Sequence, residues 1–213
     1  MDALLMCGGR GTRLGGETEK PLRPVAGRPM VDRVLDALAE SRVEATHAVV
    51  SPHATRTRER LAERASDSPS LSVVDAPGDG YVADLQFATD AVGADGAPLL
   101  TVAADLPLLN GAVVNAVLDA ARAADRDSLT VCVPAARKRE LGVSADATTE
   151  IGGREVVPAG INVVGTSSET ERDDAGAVHL TDDARIAVNV NYPSDVRTAE
   201  RLLERDTDHH TDR

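Results

Sequence analysis

No apolar run in this chain of 213 residues approaches the roughly 20 residues that a membrane-spanning helix needs. The run Ala3 to Cys7 is followed at once by Gly8-Gly9 and has no basic segment ahead of it, which does not fit a secretory leader. The expectation is a soluble, cytoplasmic protein without a membrane span. Cysteine is scarce: Cys7 and Cys132 stand far apart with no C-x-x-C spacing, which excludes a disulfide framework and a zinc site of the usual kind. Both are expected as small core residues in strands. Positive charge is in deficit, with 35 acidic against 23 basic residues and a net charge of −12. A broad cationic face for nucleic acid is thereby excluded, and a phosphate ligand requires a local basic pocket.

Lysine and aromatic residues are also rare. The only lysines are Lys20 and Lys138, and Phe87 is the only phenylalanine. This composition resembles that of proteins from salt-accumulating halophiles, in which a hydrated acidic surface keeps its solubility where the Debye length falls to ~3 Å at about 1 M salt. An ordinary acidic bias is the competing reading, and neither identifies the chemistry.

Short apolar runs at Ala3 to Cys7, Ala48 to Val50, Leu71 to Val74, Leu99 to Ala103 and Leu129 to Val133 predict buried strands. Between them, Met30, Val34, Leu35 and Leu38 recur at helical spacing, as do Val113, Val114, Val117, Leu118 and Ala121, and Arg56 to Ala65 is rich in helix formers. This alternation predicts a three-layer α/β fold in one domain, with a mainly parallel sheet and a ligand crevice at the carboxyl ends of its strands. After residue 134 the rhythm weakens. Val156 to Val164 reads as another strand, Ser167 to Gly176 as an acidic loop, and Val188 to Val190 as a last short strand. Ser194 or Asp195 is expected to cap a final helix that ends in a polar, frayed tail from Asp206.

Gly8-Gly9-Arg10-Gly11-Thr12-Arg13-Leu14-Gly15-Gly16 follows the first strand directly, with Lys20-Pro21 close behind. Gly8, Gly9 and Gly11 let the backbone approach a phosphate, Thr12 lies in the same turn, and Arg13 and Lys20 bring charge to triphosphate oxygens. No Gly-Lys pair exists, which excludes a P-loop, and Leu14 stands where a dinucleotide fingerprint needs its third glycine. A second signal is Thr101-Val102-Ala103-Ala104-Asp105-Leu106-Pro107, a strand that ends in a carboxylate. Asp105 is the expected ligand of a phosphate-bound Mg²⁺ ion, which takes only one or two protein carboxylates; capping of the next turn is the alternative. In Ala76 to Leu85, backbone groups at Gly80 and the carboxylate of Asp84 suit the edge of a guanine, although a plain glycine turn also accounts for them. The five histidines are scattered, and no Ser/His/Asp set is evident.

The G-G-x-G-T-R-L-G-G…K-P signature resembles that of the MobA-like nucleotidyltransferases, the enzymes of the sugar-phosphate and molybdenum-cofactor type. In that family, the loop wraps the nucleotide and residues matching Arg13 and Lys20 bind phosphate. The ending Val188-Asn189-Val190-Asn191-Tyr192-Pro193-Ser194-Asp195 is similar to the family's N-x-N-x-x-x-D-[LV], which implies Asn191 as the second metal or phosphate contact with Asn189 close behind; Tyr192 replaces a frequent Thr. If this segment is a strand, both Asn side chains point to one face. Pro158-Ala159-Gly160-Ile161-Asn162 and Met1-Asp2-Ala3-Leu4 narrow the likeness to the archaeal guanylyltransferases of that family that act on adenosylcobinamide phosphate. This likeness implies a Rossmann-like nucleotidyltransferase domain over 1–206 with a tail over 207–213. It also implies GTP and adenosylcobinamide phosphate as substrates, Mg²⁺ as cofactor, and Gly160 and Asn162 beside the acceptor or the nucleotide. A strand that begins after a glycine bulge accounts for these two equally well. Molybdenum-cofactor guanylylation, sugar-phosphate nucleotidyl transfer and a silent nucleotide-binding regulator are the rival functions. The assembly is left open, with a homodimer among the options.

Overall fold

The computed structural model describes residues 1–92, 97–124, 126–165 and 176–211, with only the backbone of 206–211. In chain order the elements are β1 (Ala3–Met6), a two-stranded hairpin of β2 (Pro24–Val25) and β3 (Arg28–Pro29), α1 (Met30–Ala39), β4 (Thr46–Val50), α2 (Thr55–Ser66), β5 (Leu71–Asp75), α3 (Tyr81–Val92), β6 (Leu99–Ala103) and α4 (Gly111–Ala123). They continue with β7 (Leu129–Pro134), α5 (Ala135–Leu141), β8 (Thr149–Ile151), β9 (Arg154–Val164), β10 (Ala177–Leu180), α6 (Ala184–Ala187) and α7 (Pro193–Thr211).

The main sheet runs β10-β7-β9-β6-β1-β4-β5, with β8 added on β9. Its pairs β6–β1, β1–β4, β4–β5 and β7–β10 are parallel, while β9 runs antiparallel to both β6 and β7. The fold is thus the expected α/β architecture, a mostly parallel mixed sheet flanked by helices. Every residue of β1 is buried, as suits a central strand covered on both faces. Alternate residues sort to the two faces. Leu5, Val102, Ile161 and Val131 join Val34 and Leu38 of α1, Leu61 of α2 and Val117 of α4 in the large core, whereas Leu4, Met6, Val49 and Leu99 pack with Ala88 of α3.

The helical spacing found in the sequence is the spacing that packs: Val31, Val34, Leu35 and Leu38 lie buried on one side of α1. Asp32 is buried as well, and Arg60 of α2 satisfies it with two hydrogen bonds of 3.3 and 2.8 Å. Both cysteines are buried and free, Cys132 within β7 and Cys7 just after β1. Burial pushes the Cys7 thiol far above its ordinary range, so it packs as a small apolar group.

The second half departs from the sequence reading in several places. The charged stretch after residue 134 holds α5 and the β8–β9 hairpin, and β10 was not anticipated. Val188 to Val190 is not a strand. It is a span outside the sheet whose Val190 amide bonds to the Asp105 carbonyl at 2.9 Å, and both of its valines are fully buried in a small cluster with Leu14, Val25 and Ala199. The last helix begins at Pro193, where a missing N–H costs nothing. Asp195 is therefore its third residue rather than its cap. It acts backwards, its carboxylate accepting from the Asn191 and Tyr192 amides and from the amide and hydroxyl of Ser144, all at 2.9 Å. The helix runs to Thr211, into the stretch expected as a polar tail, while residues 166–175 of the expected acidic loop lie outside the described residues. Among the described residues, no helix is long and apolar enough to cross a membrane.

Asp195 is fully buried, so Asp195→Ala strips several donors at once. The expected loss is about 3 kcal/mol of unfolding free energy, to be read from urea denaturation. A loss below about 0.5 kcal/mol would mean that the turn holds itself.

Candidate active site

The crevice opens where β1 lies between β4 and β6, at the carboxyl ends of these strands, which is where the connections diverge and leave room for a ligand. A cavity of about 270 Å³ is lined there by Gly8, Gly9 and Arg10 after β1, Ser51 and His53 after β4, Gly78, Gly80, Tyr81 and Asp84 after β5, and Ala103 to Asp105 at the end of β6, together with Lys20. The glycine turn carries its own geometry. Gly11 has φ +64°, and a Cβ there would stand 2.7 Å from the Lys20 Cβ, so the loop and Lys20 are fitted to each other.

Lys20 joins three distant parts of the chain. Its Nζ donates to Asp105 Oδ2 at 2.6 Å and to Asn191 Oδ1 at 2.8 Å, with the Lys20 and Asp105 side chains only 14% and 15% exposed. The other oxygen of Asp105, Oδ1, is buried and has no hydrogen-bond partner among the described residues. A buried oxygen left unpaired costs about 1–3 kcal/mol. A free carboxylate oxygen beside an amide oxygen is a hard donor set that suits Mg²⁺, whose other ligands come from phosphates and water. Among the described residues, no cluster of three or more His, Cys, Asp or Glu forms an all-protein metal cage.

The other residues singled out from the sequence are distributed differently. Gly8, Gly9, Gly80 and Asp84 line the cavity, while Gly11 and Thr12 lie in the turn beside it. Asp84 is nearly fully buried, and its two oxygens accept from the Gly78 amide and the Ser51 hydroxyl, each at 2.8 Å. A Cβ on Gly8 would come within 2.5 Å of that hydroxyl, so the Ser51–Asp84 bond and Gly8 are mutually fitted. Arg13 does not line the cavity. Its side chain is 61% exposed, bonds to Asp146 Oδ2 at 3.1 Å and lies 6.0 Å from the centre of the Tyr192 ring, whose hydroxyl donates to the same oxygen at 2.7 Å. Asn162 sits within the sheet opposite Thr101, its amide donating to the Thr101 hydroxyl at 3.4 Å, and Gly160 lies two residues closer to the crevice.

Asn189 and Asn191 part company because the span between them is not strand. Asn191 turns to Lys20, and Asn189 accepts from Lys138 Nζ at 2.6 Å. Lys138 was not legible as a site-associated residue; burial pulls its pKa down, opposed by the charges of Asp195, Asp105 and Asp146. Arg10 and Ser51 were also missed. Arg10 carried a signal, a cation inside the glycine turn, whereas nothing in the sequence marks Ser51.

Residues 3–201 match the model of the MobA-like NTP transferase domain. The chain belongs to this family. It is 31% identical over 211 residues to the adenosylcobinamide-phosphate guanylyltransferase of Methanocaldococcus jannaschii, an alignment that covers 97% of this chain and 99% of the relative. It is 36% identical over 132 residues to the bifunctional protein GlmU of Kineococcus radiotolerans, covering 60% of this chain and 26% of that protein. Among solved structures, a putative glucose-1-phosphate thymidylyltransferase from Bacillus anthracis superimposes with a TM-score of 0.69 at 12% identity over 94% of both chains. HddC from Yersinia pseudotuberculosis, complexed with GMP-PN, gives 0.66 at 15% identity over 95% of this chain and 99% of its own. At such identities the two structures speak for the Rossmann-like fold alone. The MobA-like nucleotidyltransferase is therefore an enzyme by family, and the expected resemblance holds along its length.

Because Gly11 is left-handed and pressed against Lys20, Gly11→Ala is expected to cost about 1–2 kcal/mol, seen as a lowered thermal midpoint. An unchanged midpoint would show that the turn relaxes freely.

Proposed function

We propose that the chain is a guanylyltransferase that moves GMP from GTP to adenosylcobinamide phosphate. The observation that carries this reading is the near end-to-end match to a guanylyltransferase of that specificity, in contrast to the partial match to the bifunctional GlmU protein. In the reaction, an oxygen of the acceptor phosphate bonds to the α-phosphorus of GTP, and the bond from that phosphorus to the α–β bridging oxygen breaks. The products are adenosylcobinamide-GDP and pyrophosphate.

No protein base is required, since a phosphomonoester has its second pKa at about 6 and is already largely dianionic near neutrality. The work falls to positioning and electrostatics. Gly8, Gly9, Gly11 and Thr12 give the triphosphate a backbone cradle, and Lys20 and Arg10 face it with positive charge. Arg13 contributes by exchanging Asp146 for a phosphate oxygen, an exchange that costs little because the existing pair is exposed. Asp105 and Asn191 would hold Mg²⁺, which supplies charge to the triphosphate oxygens. The base lies toward Gly78 and Gly80, where Asp84 shapes the loop through Ser51 and Gly78, so that guanine selection rests on backbone groups as much as on this carboxylate.

The acceptor side is supported by a sheet face that is partly exposed toward its β10 edge. Register places Val178 and Leu180 on the same face as Thr130, Cys132, Pro158 and Asn162, and Val178 and Leu180 are about 40% exposed. An apolar surface beside Gly160 suits a large macrocycle.

Incubation with each of the four nucleoside triphosphates, Mg²⁺ and, in turn, adenosylcobinamide phosphate, molybdopterin or a sugar 1-phosphate, followed by product mass, tests the reading. The expected product is the corrinoid GDP conjugate, from GTP. Guanylylation of molybdopterin with the corrinoid left untouched would replace the acceptor. In the same assay, Lys20→Ala is expected to weaken the triphosphate contact by about 1.5–3 kcal/mol. Asp105→Asn is expected to remove Mg²⁺-dependent turnover far more than nucleotide binding, and full turnover in a folded Asp105→Asn protein would place the metal elsewhere.

A further inference from the structure

Each of the chain's two lysines is bonded to one asparagine of the Asn189-Val190-Asn191 span. Lys20 holds Asn191, and Lys138 holds Asn189. Lys138 extends from α5 and is 1% exposed; its Nζ donates to the Ala187 carbonyl at 2.7 Å and to Asn189 Oδ1 at 2.6 Å. Among the described residues, no carboxylate lies within ion-pair distance of it. Burying an ammonium on two neutral acceptors is an expensive way to fill space, since an apolar side chain of the same length would fill the site without desolvating a charge.

The two acceptors explain what the charge achieves. Ala187 and Asn189 flank Val188, so one ammonium fixes both the backbone and the side chain of the span that leads to Asn191. The next amide, at Val190, bonds to the Asp105 carbonyl at 2.9 Å, and the Asn191 amide bonds to Asp195 Oδ2 at 2.9 Å. A slip at Asn189 therefore has one residue in which to dissipate before it reaches Asn191.

We propose that Lys138 is a positioning residue for nucleotidyl transfer: through Asn189 it holds the span so that the Asn191 side-chain oxygen faces Asp105. The proposal rests on the reading of Asp105 and Asn191 as the metal and phosphate contacts, and not on the identity of the acceptor. Lys138 is buried and does not line the cavity, so its loss should appear in the metal response rather than in metal-free nucleotide affinity. Charge-assisted hydrogen bonds are roughly twice as strong as neutral ones, which is why a lysine rather than a glutamine serves here.

The test uses the full chain with Lys138→Met, Asn189→Ala and the double variant. Calorimetric binding of GTP with and without Mg²⁺ is measured alongside turnover and the thermal midpoint. For Lys138→Met, the expected results are metal-free GTP affinity within threefold of the parent, a half-saturating Mg²⁺ concentration raised at least fivefold in binding as well as in turnover, and kcat lowered at least tenfold. Asn189→Ala should give the same Mg²⁺ shift, and the double variant should be no worse than the poorer single one, because both act through one contact. If Lys138→Met fails to fold, Asn189→Ala alone carries the test. A normal Mg²⁺ response in folded Asn189→Ala, or losses that add in the double variant, would overturn the proposal. Mg²⁺-strengthened GTP binding in the parent chain without any corrinoid product would instead remove the acceptor reading and leave Lys138 in place.

Discussion

The Lys20 ammonium bonds to Asp105, 85 residues away, and to Asn191, 171 residues away, and the layout of the site follows from this convergence. Asp105 reaches the point because β6 pairs in parallel with β1 and both end at the same crevice. Asn191 reaches it because the Val190 amide is fixed to the Asp105 backbone and because the buried carboxylate of Asp195 gathers the turn that follows. Lys20 itself is set by the left-handed Gly11, against which its side chain lies. Start, middle and end of the chain therefore meet at one ammonium.

The arrangement has an energetic consequence. Lys20 neutralises one oxygen of Asp105 and leaves the other buried, with no hydrogen-bond partner among the described residues. A half-satisfied, partly buried carboxylate is poised for a second cation. The cations assigned to phosphate on sequence grounds are themselves engaged with carboxylates, Lys20 with Asp105 and Arg13 with Asp146. Nucleotide phosphates would compete for both, and the two pairs differ in how firmly they hold: the Lys20 pair is largely buried, whereas the Arg13 pair is open to water and weak.

How much of this was legible follows from which interactions are local. The strands β1, β4, β5, β6 and β7 and the helices α1, α2 and α4 announced themselves because runs and helical spacing record burial within a few residues. Val188 to Val190 misled for the same reason: a short run of buried valines reads as a strand, whereas this span joins no sheet ladder of the described residues and is held through the Val190 amide on the Asp105 carbonyl. The helix α5 hid its function because Arg137, Lys138 and Arg139 look alike as surface charges. Lys138 is the buried member, and it is buried by partners some 50 residues on. The cleft glycines and Asp105 could be read because a backbone turn and a strand end are themselves local features, whereas the Ser51–Asp84 and Arg13–Asp146 bonds could not.

The scarcity of lysine gives a direct view of the central interaction. In protein labelled at the lysine side chain, two signals are expected by nuclear magnetic resonance, one from Lys20 and one from Lys138, assigned by the Lys20→Ala protein. Addition of GTP with Mg²⁺ should shift the Lys20 signal strongly as phosphate and metal take up its partners, while the Lys138 signal stays close to its starting position. A Lys20 signal that does not respond at saturating nucleotide would contradict the account, because the ammonium that joins Asp105 to Asn191 would then have no part in the nucleotide site.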